Sequence, residues 1–304
     1  MYKIFIDGRA GTTGLQIEER LAVRRDVTLI ALPEAQRKDP EARRQAMGEA
    51  HAVLLCLPDE AAREAAAWAD PDGILIDAST AHRTQPGWAY GFPELGPDFR
   101  RAIQEGKRIA VPGCHAGGFV ALVRPLTQAG LLPGDAPLTC VSLTGYSGGG
   151  KAMIAEYEAP GRERNDALSA PRQYALGQAH KHLPEMARYA GLARPPVFCP
   201  IVADYPRGME VTVPLRGADR FAVLDCYKEF YASAAMVRVV EPDGLPHSPN
   251  ACACRDAMDI TVEGNDDRLL LIARFDNLGK GASGAAVQCL NLALGLPETE
   301  GLVL

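Results

Sequence analysis

Six residues of strand character, Tyr2–Asp7, run directly into glycines at positions 8, 11 and 14, and an amphipathic stretch, Leu15–Arg24, follows. Few chains can use a Gly-x-x-Gly-x-x-Gly turn in that setting. It brings backbone N–H groups to a helix N-terminus, where the helix dipole favours an anion, and removes the side chains that would block a pyrophosphate. Thr12 and Thr13 add hydroxyl donors to Gly8, Gly11 and Gly14. A ligand-free strand-to-helix turn would use the same glycines, so the motif alone decides little. Its position after a first strand and before further strand–helix units points to a dinucleotide.

Those further units are legible. Strands are expected at Thr28–Leu32, Ala52–Leu57, Ile74–Asp77 and Arg108–Val111, with helices at Glu41–Glu49 and Glu60–Ala69. Asp39-Pro40 supplies a capping acid and a first-turn proline. Continuous apolar strands alternating with helices predict a parallel sheet covered on both faces. Beyond a helix expected at Gly117–Gln128 the texture changes. Longer strands follow at Leu138–Thr144, Met209–Pro214, Met236–Val240, Met258–Glu263 and Arg268–Phe275, and Gly264–Asp267 makes a hairpin turn. The expected class is an α/β Rossmann-type nucleotide-binding domain plus an α+β domain with a mostly antiparallel sheet. The boundaries are set at 1–115 with 283–304, and at 116–282.

Composition excludes several functions. The 304 residues are 47% hydrophobic and 23% charged, so a core forms without metals or disulfides. A net charge of −6 argues against nucleic acid and membrane surfaces as partners. No apolar run has the length of a membrane helix, and Met1–Asp7 lacks the pattern of a signal peptide, so a cytoplasmic location is expected. Cys252 and Cys254 are too closely spaced for a zinc knuckle, and no metal site is expected.

Of the eight cysteines, Cys114 stands apart. Pro112-Gly113-Cys114 follows a strand, precedes a helix and is lined by glycines. A helix N-terminus lowers a thiol's pKa. A thiolate that attacks an activated acyl group forms a thioester, and a thioester accepts hydride from a nicotinamide. The base is sought in His180-Lys181-His182-Leu183-Pro184-Glu185, with either His180 or His182 as acid/base and Glu185 as a group that could orient the ring. Arg83 can receive an anion, and Ser147 and Lys151 flank a second glycine-rich loop, Gly145–Gly150, that could cradle a phosphate. The end of the second strand leaves the cofactor open. Glu34 suits the ribose of NAD, whereas Arg37 and Lys38 suit the 2′-phosphate of NADP.

These pieces together resemble the N-acetyl-gamma-glutamyl-phosphate reductases, type 2 branch, within the semialdehyde dehydrogenase superfamily. The matching motifs span nearly the whole chain: Ile6–Gly14, Ile76–Arg83, Tyr90–Leu95, Pro112–Cys114, Gly145–Lys151, His180–Glu185 and Asn277–Ala286. One departure is His115-Ala116-Gly117, where the longer branch carries an aromatic residue, Pro and Thr. The resemblance implies reduction of N-acetyl-L-glutamyl 5-phosphate to the 5-semialdehyde, in arginine biosynthesis, with NADP as cofactor. It adds Ser79 and Gly281 to the cofactor-binding residues and favours His180 as the acid/base. It also implies a homo-oligomer, dimer or tetramer, and a C-terminal segment that rejoins the nucleotide domain. An aspartate-semialdehyde-type reductase would share the cysteine, histidine and glycine loops. A non-catalytic NADP-binding regulator would not need Cys114 intact, and neither would a histidine-only hydroxy-acid dehydrogenase.

Overall fold

A computed structural model describes residues 1–163 and 167–304. The chain divides into two compact units, one of Met1–Pro112 with Ala282–Leu302, the other of Gly113–Gly281 with Val303–Leu304.

In the first unit the elements run β1 (Tyr2–Asp7), α1 (Thr12–Ala22), β2 (Val27–Ile30), α2 (Pro40–Glu49), β3 (Ala52–Leu55), α3 (Asp59–Trp68), β4 (Ile74–Asp77), β5 (Ala89–Tyr90), α4 (Pro97–Glu105) and β6 (Arg108–Ala110). The strands form one parallel sheet in the order β2-β1-β3-β4-β6-β5. Side chains alternate across it, as the two-residue period of a strand requires. Ile4, Ile6, Leu54 and Ile76 pack on one face with Ile17 and Leu21 of α1 and Ile103 of α4. Phe5, Val53, Leu55 and Leu75 pack on the other with Ala46 and Met47 of α2 and Ala62 and Ala65 of α3. The Asp39 carboxylate caps α2 by accepting the amides of Glu41 at 2.9 Å and Ala42 at 3.4 Å.

The second unit opens with α5 (Cys114–Gln128), then β7 (Thr139–Gly145), α6 (Gly150–Tyr157), β8 (Arg172–Gln173), α7 (Leu183–Ala190), β9 (Val197–Ala203), β10 (Met209–Arg216), α8 (Arg220–Phe230), β11 (Val237–Val239), β12 (Met258–Gly264) and β13 (Arg268–Phe275). Its sheet has the order β11-β12-β13-β10-β7-β9-β8. The pairings β11–β12 and β7–β9 are parallel and the rest antiparallel, so the sheet is mixed with an antiparallel centre. Helix α5 is buried along most of its length against β10, β13, α7 and α8. Pro125 lies inside it and has no N–H for the carbonyl of Ala121. The Tyr231 hydroxyl donates to that carbonyl instead, at 2.7 Å. A π-helical stretch, Gly279–Ser283, then leads into α9 (Gly284–Ala293). Val287 and Leu290 of α9 join the first unit's Ile4 and Ile76.

Two local expectations are corrected. Helix α5 begins at Cys114, not at Gly117, with Gly113 as its N-cap. The stretch Gly145–Gly150 is not an open loop. Tyr146–Gly149 forms a 3-10 turn, and α6 starts at Gly150. Among the described residues, no helix is long and apolar enough to cross a membrane.

Candidate active site

In the first unit the glycine motif occupies the β1–α1 turn. Gly8 has φ +84°, and a Cβ there would lie 2.3 Å from the Cys56 carbonyl oxygen, so only glycine fits. The Gly11 amide closes the turn onto Gly8 O at 2.9 Å. Thr12, Thr13 and Gly14 form the first turn of α1, and Thr12 Oγ1 is buried with no hydrogen-bond partner. A cavity of about 310 Å³ opens here, lined by Gly8, Arg9, Glu34, Arg37, Lys38 and Arg43 among others. It lies where the strand order departs from β1 to either side, the usual ligand crevice of a doubly wound sheet.

The charges around that cavity differ in freedom. Arg43 is buried and held by Asp7 at 2.8 Å. Arg37 pairs with Glu34 at 2.7 Å, both largely exposed. Lys38 is exposed and has no ion-pair partner among the described residues. Glu34 and Arg37, which read as alternatives in the sequence, are thus partners of each other. Sequence reasoning missed Arg43, whose pairing with the strand-end acid Asp7 has no local spacing signal.

Ser79 and Arg83 serve the strand ends of the same unit. Ser79 donates to Asp77 Oδ2 at 2.7 Å, and its own amide binds Asp77 Oδ1 at 2.9 Å. His82 Nδ1 meets the same carboxylate at 2.6 Å. Arg83 is buried and donates to the carbonyls of Val111, at 2.8 Å, and Ala78, at 3.1 Å.

In the second unit Cys114 is the first residue of α5 and is half-buried. Burial pushes other thiols up: Cys56 to about 12, Cys252 to about 11, and Cys140 and Cys226 upward too. Those stay protonated at neutral pH. The Gly113 amide, at the N-cap, donates to Glu185 Oε1 at 2.8 Å, and Glu185 is 1% exposed. Glu185 therefore fixes the helix start beside the thiol. Gly281 abuts Cys114, and a Cβ there would lie 3.0 Å from the Cys114 Cβ.

Three imidazoles gather beside this helix start. The rings of His180 and His182 are 4.7 Å apart, and each lies 5.6 Å from that of His115. His180 Nδ1 accepts the His182 amide at 3.2 Å, which leaves the neutral ring's proton on Nε2. His115 is 3% exposed and bonds Ser142 Oγ and Tyr174 OH, both at 2.7 Å. Burial first, and the nearby His180 second, lower its pKa to about 3, so it is neutral at physiological pH. Burial and then the charge of Cys114 push the Tyr174 phenol upward, so it remains a proton-bearing donor near the thiol. His115, Ser142 and Tyr174 were missed as a group because 27 and 59 residues separate the histidine from its partners.

The remaining expected anion-binding groups part company. Ser147 is buried and accepts from Asn277 Nδ2 at 2.9 Å, while Asn277 Oδ1 accepts the Gly208 amide at 2.9 Å. Lys151 is exposed on α6.

Comparison with known proteins identifies relatives of this chain. Residues 114–277 match the family model described as semialdehyde dehydrogenase, dimerisation domain. An N-acetyl-gamma-glutamyl-phosphate reductase of a Chelativorans species is 46% identical, covering 96% of this chain and 98% of that one. An N-acetyl-gamma-glutamyl-phosphate reductase 2 of Pseudomonas putida is 44% identical, with 98% of each chain covered. This chain belongs to the N-acetyl-gamma-glutamyl-phosphate reductase family. It is an oxidoreductase of that kind, and the family's fold extends to distant structures. Aspartate semialdehyde dehydrogenase II from Vibrio cholerae, complexed with ASA, aligns with a TM-score of 0.73 at 16% identity, over 97% of this chain and 98% of that one. Aspartate semialdehyde dehydrogenase with NADP from Candida albicans gives 0.70 at 16% identity, over 97% and 99%. At that identity the likeness shows the fold alone, an α/β unit with a parallel sheet and an α+β unit with a mixed one.

Proposed function

We propose that this chain is a cytoplasmic, homo-oligomeric enzyme of arginine biosynthesis. It reduces N-acetyl-L-glutamyl 5-phosphate to N-acetyl-L-glutamate 5-semialdehyde, with NADPH as reductant and phosphate as the second product. The observation that carries the reading is Cys114 at the first position of α5, half-buried beside the histidine cluster. The names of the relatives supply the substrate.

A dinucleotide fits the residues of the first unit. The orphaned, buried Thr12 hydroxyl and the Cβ-free backbone at Gly8 suit a pyrophosphate, and Arg37 and Lys38 suit a 2′-phosphate. Ser79 and Gly281 are assigned to the nicotinamide end. When bound, NADPH supplies a hydride.

The chain's own residues do the rest. The dipole of α5 favours the Cys114 thiolate over the thiol. The thiolate forms a C–S bond to the acyl carbon, the C–O bond to phosphate breaks, and phosphate leaves with the bonding electrons. The product of that exchange is a thioester on Cys114. After reduction the oxygen on that carbon carries negative charge. Its electron pair re-forms the C=O bond, the C–S bond breaks, and Cys114 leaves as thiolate. His180 is the acid/base, its Nε2–H donating to the oxygen while the charge develops, and His182 is second in line for that role. Arg83, Ser147 and Lys151 are assigned to the substrate's anionic groups, with Ser147 prepared by its bond from Asn277.

The test is oxidation of N-acetyl-L-glutamate 5-semialdehyde by the purified protein, followed as NADPH formation. The expected result is a rate that requires phosphate, or arsenate in its place, and that exceeds the rate on aspartate 4-semialdehyde by orders of magnitude. A preference for aspartate semialdehyde, or turnover without either anion, would reject the reading.

A further inference from the structure

The connector between β11 and β12 carries a polar cluster that the reaction does not use. Asp243 and His247 lie on it, and Glu263 lies near the end of β12. One ligand atom from each of the three falls within 4.8 Å of the other two. His247 Nε2 is 3.7 Å from Glu263 Oε1 and 4.0 Å from Asp243 Oδ1. Both separations exceed a hydrogen bond.

The burial makes this arrangement unusual. The His247 side chain is 10% exposed, and its Nδ1 has no hydrogen-bond partner. Glu263 Oε1 is likewise buried without one. Buried polar atoms are nearly always satisfied, and groups that are not call for a water, a ligand or an ion. Glu210 of β10 adds to the demand for positive charge. Its Oε2 is also buried without a hydrogen bond. Arg274 stands opposite Glu210 in the β10–β13 register.

We propose that Asp243, His247 and Glu263 form a binding site for a divalent transition-metal ion of the zinc class. One imidazole and two carboxylates make a nitrogen–oxygen donor set that suits zinc and its neighbours better than magnesium or calcium. Metal–ligand distances of about 2.0–2.2 Å put ligands roughly 3.0–3.5 Å apart, so atoms within 4.8 Å of one another need draw together by no more than about 1.8 Å. The Asp243 side chain is 60% exposed on a connector and can make that move. Two carboxylates and a neutral imidazole balance the ion's charge. Bound metal would clamp the connector onto β12, which makes this a structural site and not part of the chemistry.

Zinc binding to chelator-treated protein, measured by equilibrium dialysis, tests the assignment. A Cys114→Ser background removes the reactive thiol as a competing site. His247→Ala is expected to lose one equivalent of zinc, and Asp243→Asn to bind it at least about tenfold more weakly. Cobalt substitution is expected to give visible ligand-field bands without thiolate charge transfer. In the otherwise unaltered enzyme, Asp243→Asn is expected to leave turnover unchanged. The proposal is overturned if stoichiometry and affinity match the parent in both variants, or if the cobalt lost on substitution carries a thiolate band. Should His247→Ala fail to fold, the exposed Asp243→Asn decides by itself.

Discussion

Glu185 on α7 accepts the amide hydrogen of Gly113 at 2.8 Å, one residue ahead of Cys114. The bond joins two elements 72 positions apart and satisfies an amide at the start of α5 that has no partner within the helix. Loss of the carboxylate would strand a buried N–H, at a cost of about 1–3 kcal/mol. Glu185→Ala is therefore expected to lower urea stability by that amount and to reduce kcat. Glu185→Gln, which keeps an acceptor oxygen, is expected to recover most of the stability. Equal losses in the two variants would show that the cap is not what Glu185 provides.

Cys114→Ser is expected to abolish reduction and leave NADPH binding nearly intact, because the thiol is assigned to the substrate and not to the cofactor. Binding is read by fluorescence titration and turnover by absorbance. Activity within about tenfold of the parent enzyme would rule out the covalent route.

The cation pair divides unequally. Arg37 is already tied to Glu34, whereas Lys38 has no ion-pair partner among the described residues. If both face a 2′-phosphate, Arg37→Ala combined with Lys38→Ala weakens NADPH by about tenfold to a hundredfold and NADH far less. Lys38→Ala alone should carry most of that difference. Equal weakening of the two cofactors would move the 2′-phosphate elsewhere.

His180 and His182 separate by pH profile. His180→Asn is expected to slow the chemical step and remove a limb of the pH–rate curve near neutrality, and His182→Asn to do much less. A reversed pattern would transfer the acid role to His182. An unchanged profile in both variants would send the search for the acid outside this segment.

His115 ties stability to pH. Its pKa is about 3 in the fold, well below the ordinary 6.5 of an exposed ring. The unfolded chain therefore binds a proton at His115 below pH 6.5 that the folded chain refuses. Stability contributed here is present above 6.5 and is lost as pH falls toward 3, by up to about 1.4 kcal/mol per pH unit. Urea midpoints at pH 7, 6, 5 and 4 should fall with a steeper slope in the parent than in His115→Asn. Parallel slopes would mean that the ring titrates normally.

The first unit was the more legible in sequence. Its strands are apolar runs bounded by breakers, and β1 and β4 lie where the pattern put them. In the second unit β13 was equally plain, but β9 was not assigned because Pro200 interrupts it. The sheet tolerates that proline between β7 and the short edge strand β8. Helix α8 is not legible because its apolar residues are spread around it and not confined to one stripe: only Val223, Leu224 and Tyr227 are buried, and Phe221 is exposed. The helix start at Cys114 lies three residues ahead of the expected Gly117, because Cys114-His115-Ala116 carries no side-chain cap to mark it. The cysteine and the histidine pair were legible because they sit in short, dense motifs. Asn277 behind Ser147, and Glu185 in its role as a cap, depend on pairings that only the folded chain creates.

The return of α9 to the first unit sets an order of events during synthesis. The parallel sheet's core includes Val287 and Leu290, which leave the ribosome after every residue of the second unit up to Gly281. The second unit is nearly contiguous and can close while the first still lacks a wall. Nascent residues 1–112 must therefore wait, with one sheet face incompletely covered, for a helix translated about 170 positions later, at about 5–20 residues per second. Chains truncated after residue 281 and released should be protease-sensitive in the first unit and resistant in the second. In this architecture the N-terminal nucleotide fold is the first part to be made and the last to be finished.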